Sequence, residues 1–148
     1  MPDSPKHRQP VPPPFLTHLG GRITDLAEGG EVVLDLKPEH CNSRATAHGG
    51  VVMTLLDVCM ARAARASRRQ DGHEDLGVMT IEMKASFMNP GLGPTLVGRG
   101  TCLQHSATMA FCEGEVTDPA GRVVARGSGT FKYVHPRVRA ARTDSPAL

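Results

Sequence analysis

The clearest feature of the chain is a change in hydrophobic period near residue 77. From 49 to about 67, Val52, Leu55, Leu56, Cys59, Met60 and Ala63 recur at helical spacings with further apolar residues between them, which predicts one long helix. Its first three turns are apolar nearly all round, as expected of a helix buried on most sides. The arginines after Ala61 put its C-terminal end in water, where cations suit the helix dipole. From Val78 the period becomes two. Met79, Ile81, Met83, Ala85 and Phe87 alternate with Thr80, Glu82, Lys84, Ser86 and Met88, predicting a long half-buried strand that ends at Asn89-Pro90-Gly91. Strands are also predicted at about 95–104, 107–117 and 122–134. The last two are joined by Asp118-Pro119-Ala120-Gly121, with Pro at i+1 and Gly at i+3 of a type I turn.

Upstream, residues 23–27 and 31–36 are strand-like runs around Glu28-Gly29-Gly30, a hairpin signal because paired glycines tolerate positive φ. Residues 38–47 show no periodicity and predict an irregular loop. The first 14 residues hold six prolines and predict a disordered arm, so the folded domain is expected over 15–134, followed by a flexible tail over 135–148. A hairpin, one long helix and four strands define an α+β domain in which an antiparallel sheet wraps around a single central helix, the only adequate apolar cover for one sheet face.

Composition narrows the function. At 148 residues there is room for one core, hence one site. One Tyr, no Trp and four Phe leave little surface for stacking on bases, so no nucleic-acid partner is expected. The net charge of +2 comes largely from Arg62, Arg65, Arg68, Arg69 and the tail, a pattern typical of a solvated helix end. Cys41, Cys59, Cys102 and Cys112 form no C-x-x-C pair and lack histidines at zinc spacing, so neither a metal site nor a disulfide framework is indicated. No signal-like segment and no run of about 18 apolar residues is present, and the expectation is a cytoplasmic protein without a membrane partner.

Asp57 is the anomaly. It lies inside VVMTLLDVCM, where an unpartnered carboxylate costs several kcal/mol, so it must be paired, protonated or facing a cleft. A purely structural carboxylate and a catalytic one both satisfy that requirement. Just before the helix, His48-Gly49-Gly50 sits where main-chain N–H groups lack intrahelical acceptors, and glycine admits a ligand close to them, as in an oxyanion site. Simple loop-to-helix punctuation is the plainer explanation of Gly-Gly alone, and capping that of His48. Gly49 and Asp57 are eight residues apart, about 12 Å along one helix, whereas a reacting group must lie about 3 Å from both its base and its oxyanion donor. If the two cooperate, Gly49 of one chain meets Asp57 of another, which an isologous dimer with antiparallel helices achieves twice. A homodimer is therefore expected, and a dimer of dimers (tetramer) as its further assembly.

Asn42, His48-Gly49-Gly50, Leu56-Asp57, the strand Gly77-Val78-Met79-Thr80-Ile81-Glu82-Met83 and the Asn89-Pro90-Gly91 turn together resemble the phenylacetate-pathway (PaaI-like) branch of the hotdog-fold 4-hydroxybenzoyl-CoA thioesterase superfamily, over about residues 15–134. The resemblance implies hydrolysis of an acyl-CoA thioester, with Asp57 as general base or nucleophile and the Gly49 N–H polarising the carbonyl. It implies that Asn42 and His48 assist and that Thr80 helps hold the attacking water, although strand alternation alone makes Thr80 a sheet-surface residue. By the same analogy Gly50, Glu82, Phe87, Met88, Asn89, Gly91, Gln104, His105 and Ser106 contact the CoA substrate; relatives often have Gly or Lys where this chain has His105 and Ser106. No metal or organic cofactor is needed, because thiolate leaves readily and a polarised carbonyl suffices.

Two other activities fit the same fold. An acyl-thioester hydratase or dehydratase would use His48 and Asp57 as an acid/base pair, but residues 42–47 lack the Asp that hydratase relatives carry before the helix. A non-catalytic acyl-CoA sensor has no reason to keep a carboxylate in an apolar helix. No G-x-S-x-G is present for serine-hydrolase chemistry. Met53, Met60, Met79 and Met83 read mainly as core, and the acyl group preferred does not follow from the sequence.

Overall fold

The computed structural model of the protein describes residues 11–24, 30–73 and 76–136. The proposed arm, apart from residues 11–14, and nearly all of the proposed tail lie outside the described residues, as does the turn at 25–29. The elements are α1 (Pro14–His18), β1 (Arg22–Ile23), β2 (Glu31–Asp35), a 3-10 turn (Pro38–His40), α2 (Gly49–Gln70), β3 (Gly77–Phe87), β4 (Thr95–His105), β5 (Met109–Thr117) and β6 (Val123–Val134). All six strands form one antiparallel sheet in the order β1-β2-β4-β5-β6-β3, so β3 is left as an edge.

α2 is the predicted long helix, extended to Gln70, and its Leu55, Leu56, Met60 and Ala64 are fully buried against Val32, Leu96, Val116 and Phe131 of the sheet. Curling the sheet this tightly demands a missing side chain where it meets the helix backbone. A Cβ on Gly100 of β4 would fall on the Cys59 carbonyl and 2.9 Å from the Met60 nitrogen. The β5–β6 hairpin closes through the predicted turn. Gly121 takes φ +79° and donates its N–H to the Asp118 carbonyl at 2.9 Å, while Asp118 Oδ1 accepts from the Ala120 and Arg122 N–H groups.

Three features depart from the sequence reading. Residues 14–18, placed at the arm boundary, form a short helix that seats Leu16 in the core at 0% exposure. The irregular loop contains the 3-10 turn and a Cys41–Ala47 bridge. The third is in β3, which carries a bulge at Ile81: Thr80 pairs with Phe131, yet Glu82 pairs with Thr130. One extra residue reverses the side-chain alternation. Val78 and Thr80 therefore share the helix-facing side with Phe131 and Tyr133, whereas Met83, Ala85 and Phe87 face it beyond the bulge. Met79 and Ile81, expected on the buried face, are 58% and 54% exposed.

Candidate active site

The loop before α2 is folded by Asn42. Its Oδ1 accepts from the Arg44 and Thr46 N–H groups at 2.9 and 3.3 Å, and its Nδ2 donates to Thr46 Oγ1 at 3.0 Å. The loop is pinned from below by buried His40, whose Nδ1 accepts the Lys37 N–H and whose carbonyl accepts the His48 N–H at 2.8 Å. Sequence reasoning passed over His40; a histidine inside an otherwise small, polar loop was the only signal available. His48 then caps α2, its Nδ1 accepting the Gly50 N–H at 2.9 Å, while the Val51 and Val52 N–H groups donate to the His48 carbonyl. Of the first four N–H groups of the helix, that of Gly49 alone has no acceptor among the described residues.

That N–H belongs to a residue lining a cavity of about 410 Å³, bounded also by Asn42, Thr46, Ala47, Val52, Val124 and residues 87–91. Phe87 stands beside Gly49, with ring carbons 3.8 Å from where a Gly49 Cβ would be. Gly91 is packed so closely that a Cβ there would come within 2.8 Å of the Ala47 Cβ, and its carbonyl accepts the Ala47 N–H. Asn89 fixes the turn by donating from Nδ2 to the Val123 carbonyl at 2.7 Å. One cavity thus gathers Asn42, Gly49, Phe87, Met88, Asn89 and Gly91.

Asp57 lies two turns further along α2. It is half-buried rather than enclosed, and Thr80 Oγ1–H donates to its Oδ1 at 2.6 Å. The bulge in β3 makes this contact possible by turning Thr80 toward the helix. Gly49, Met53 and Asp57 form one stripe at i, i+4, i+8, so within a single chain the Gly49 N–H and the Asp57 carboxylate stand apart along the helix axis by the length of that stripe.

The remaining predicted residues are elsewhere in the chain. Glu82 points to the outer face of the sheet and accepts from Thr130 Oγ1 at 2.8 Å. His105 Nε2 meets Asp71 Oδ2 at 2.8 Å, and Ser106 Oγ caps the β4–β5 turn by accepting the Thr108 and Met109 N–H groups; Gln104 is exposed beside them. The His105 hydrogen bond, with lesser help from Arg68, holds the Asp71 carboxyl below its usual range against the opposing effect of burial. A wider groove of about 690 Å³ on the outer face, lined by Lys84, Arg99, Glu113, Glu115 and Arg126 among others, contains none of the predicted site residues. Among the described residues no three His, Cys, Asp or Glu side chains are grouped to hold a metal ion, and no helix is long and apolar enough to cross a membrane.

A six-stranded antiparallel sheet curled around one long helix is the hotdog fold. Residues 45–125 match the Thioesterase superfamily, and the chain belongs to that family as a thioester hydrolase. It is 30% identical over 115 residues to acyl-coenzyme A thioesterase 13 of Homo sapiens, covering 74% of this chain and 79% of that protein. A Bacillus halodurans protein solved with CoA is 27% identical, superimposes with a TM-score of 0.63 and covers 70% of each chain. The PaaI protein of the E. coli phenylacetic acid degradation operon shares the fold at a TM-score of 0.71 and 20% identity, covering 81% of this chain and 83% of that one.

Proposed function

We propose that the protein hydrolyses an acyl- or aryl-CoA thioester to the free acid and CoA, in the cytoplasm, at a site built jointly by two copies of the chain. The observation that carries this is the separation of two complementary halves on one helix: an N–H without an acceptor at Gly49 and a Thr80-held carboxylate at Asp57. An antiparallel pairing of two α2 helices brings Gly49 of one copy to Asp57 of the other, twice per dimer. The free edge of β3, with Met79 and Ile81 exposed along it, is the surface that such a pairing covers, and a dimer of dimers is its extension. The thioester carbonyl points at the Gly49 N–H, and the phenyl ring of Phe87 lies beside the acyl group. Asp57 either deprotonates the attacking water or attacks the carbonyl carbon itself; the carbonyl π electrons move onto the oxygen held by Gly49 and return as the CoA thiolate leaves, and in the second case water then cleaves the Asp57–acyl anhydride to the free acid and the Asp57 carboxylate. CoA as the carrier is supported by the relative named an acyl-coenzyme A thioesterase and by the similar protein solved with CoA. Neither a metal nor an organic cofactor takes part.

The test is CoA release from phenylacetyl-, benzoyl- and hexanoyl-CoA by wild type, Asp57→Ala and Asp57→Asn, with fold and oligomeric state checked for each. Turnover by wild type with a loss of orders of magnitude in kcat for both variants supports the carboxylate mechanism, and the panel names the acyl class. Binding without hydrolysis would make the protein an acyl-CoA sensor. Undiminished turnover by folded Asp57 variants would remove Asp57 from the chemistry.

A further inference from the structure

Cys102 and Cys112 are ten residues apart in the sequence, but the β4–β5 register sets them directly opposite each other. Both side chains are on the helix-facing side, where Cys112 is 2% exposed and Cys102 is half-buried against the core. The pair is also of the closer kind. Thr108 accepts the Tyr133 N–H from β6, and Met109 accepts the Ser106 N–H from the β4 side, so even-numbered residues at this end of β5 turn their backbone toward β6. The β5 side of the ladder runs without interruption through Ala110, Phe111 and Cys112, the irregularity lying on β4 between Cys102 and Gln104. Cys112 therefore makes no ladder hydrogen bond to β4, and in such non-hydrogen-bonded pairs the Cα atoms approach to about 4.5 Å. A disulfide requires Cα atoms about 4.4–6.8 Å apart with converging Cβ vectors, which directly opposed residues on one sheet face supply.

We infer that Cys102 and Cys112 are a cross-strand dithiol that closes to an intramolecular disulfide under a peroxide oxidant. The two thiols have different roles. Cys102 is the one an oxidant reaches; its sulfur attacks one peroxide oxygen, the O–O bond breaks, and Cys102 sulfenic acid and water result. Cys112 resolves it: its sulfur attacks the Cys102 sulfur, the S–O bond breaks, and the hydroxyl leaves as water with the Cys112 proton. In sum two thiols lose two hydrogens and hydrogen peroxide becomes two waters. Burial, followed by the neighbouring Cys102 and Cys59 thiols, pushes the Cys112 thiol up, which makes it a poor first target; its place directly opposite Cys102 is what makes it the resolving thiol. Cys59 is the nearest competitor, but it is 1% exposed and its Sγ–H is engaged with the Leu56 carbonyl at 3.2 Å. The bond would staple β4 to β5 beneath the half of α2 that follows Asp57.

The experiment treats the folded full chain, in a Cys41→Ser background, with hydrogen peroxide, alkylates the remaining thiols and maps the peptides by mass. The expected result is a peptide pair joined through Cys102 and Cys112, with two titratable thiols lost per chain, both returned by dithiothreitol, and no such pair in Cys102→Ser. Four outcomes would overturn the inference: a Cys59–Cys112 link, covalent dimers through Cys102, Cys102 sulfinic acid beside an alkylated Cys112, or retention of all three thiols. Because the mapping is done with both cysteines in place, the answer does not depend on a core substitution folding.

Discussion

Replacing Thr80 by Val tests how much the carboxylate depends on its only side-chain hydrogen bond among the described residues. The two residues are nearly isosteric and both suit a strand, so the change removes a hydroxyl and little else. The bond it deletes is short, 2.6 Å between Thr80 Oγ1 and Asp57 Oδ1, which is the range of an O–H donor on an ionised acceptor. Hydrogen bonds to charged groups contribute about 1.5–3 kcal/mol. Because Thr80 is exposed and Asp57 only half-buried in the single chain, water competes for the bond and the lower half of that range applies. About 1.5–2 kcal/mol corresponds to a fall of about ten- to thirtyfold in kcat, at about 1.4 kcal/mol per factor of ten. The assay is steady-state CoA release, with melting temperature and oligomeric state measured alongside. KM should be unchanged, the melting temperature should fall because the same hydrogen bond is lost from the folded chain, and Thr80→Ser should restore most of kcat. Wild-type kcat in folded Thr80→Val would refute the role of the hydroxyl, and an equal loss in Thr80→Ser would shift the effect from the hydrogen bond to packing.

Met53 lies midway between Gly49 and Asp57 on the same stripe of α2, so in the dimer proposed above it faces its own copy across the two-fold axis. Oxidised Met53→Cys should run as a covalent dimer on a non-reducing gel; a monomer band from active protein would put the axis elsewhere. Gly100→Ala should force α2 off the sheet, because the new methyl group meets helix backbone, which cannot rotate away. Overpacking of this kind costs about 3 kcal/mol, at the upper end of its usual range, and should lower the melting temperature by about 6–12 °C. An unchanged melt would mean that α2 can shift at little cost. Acid should loosen the β5–β6 hairpin through Asp118. Although burial pushes its carboxyl up, the Arg122 backbone N–H and guanidinium and the Ala120 N–H outweigh that and hold it below 3.8. A depressed folded value stabilises the protein above the unfolded value, and that contribution is lost as the pH falls through the lower folded one. Urea midpoints measured from pH 5 down to pH 3 should therefore fall more steeply for wild type than for Asp118→Asn, and parallel curves would exclude Asp118 as a source of acid sensitivity.

Local signals were legible where local forces decide the structure. The 3.6-residue period of α2, the Asp118–Gly121 turn and the order of the last four strands follow from side-chain spacing and from the few residues that tolerate turn geometry, and they reappear in the structure with small shifts at their ends. The buried face of β3 was misread at Met79 and Ile81 because a bulge is a property of two paired strands: nothing near Ile81 announces that β6 will offer one residue fewer. Thr80 is the instructive case. Alternation put it on the sheet surface and the family resemblance gave it a part in holding the attacking water; the bulge turns it toward the helix, where its hydroxyl donates to Asp57.

From residue types and spacing alone came the single domain, the long helix with a carboxylate in its apolar run, a glycine pair at its start, and a separation between them too long for one chain to bridge. Those are one-dimensional facts, because a helix converts sequence distance directly into length. Only the tertiary structure decided which N–H stays free, that residues 87–91 close a cavity against it, that His40 supports the loop from inside, and that two cysteines without any motif stand opposite one another. Each of these depends on strands far apart in the chain pairing in one register, and register is set by burial summed over the whole sheet, which no short stretch of sequence contains.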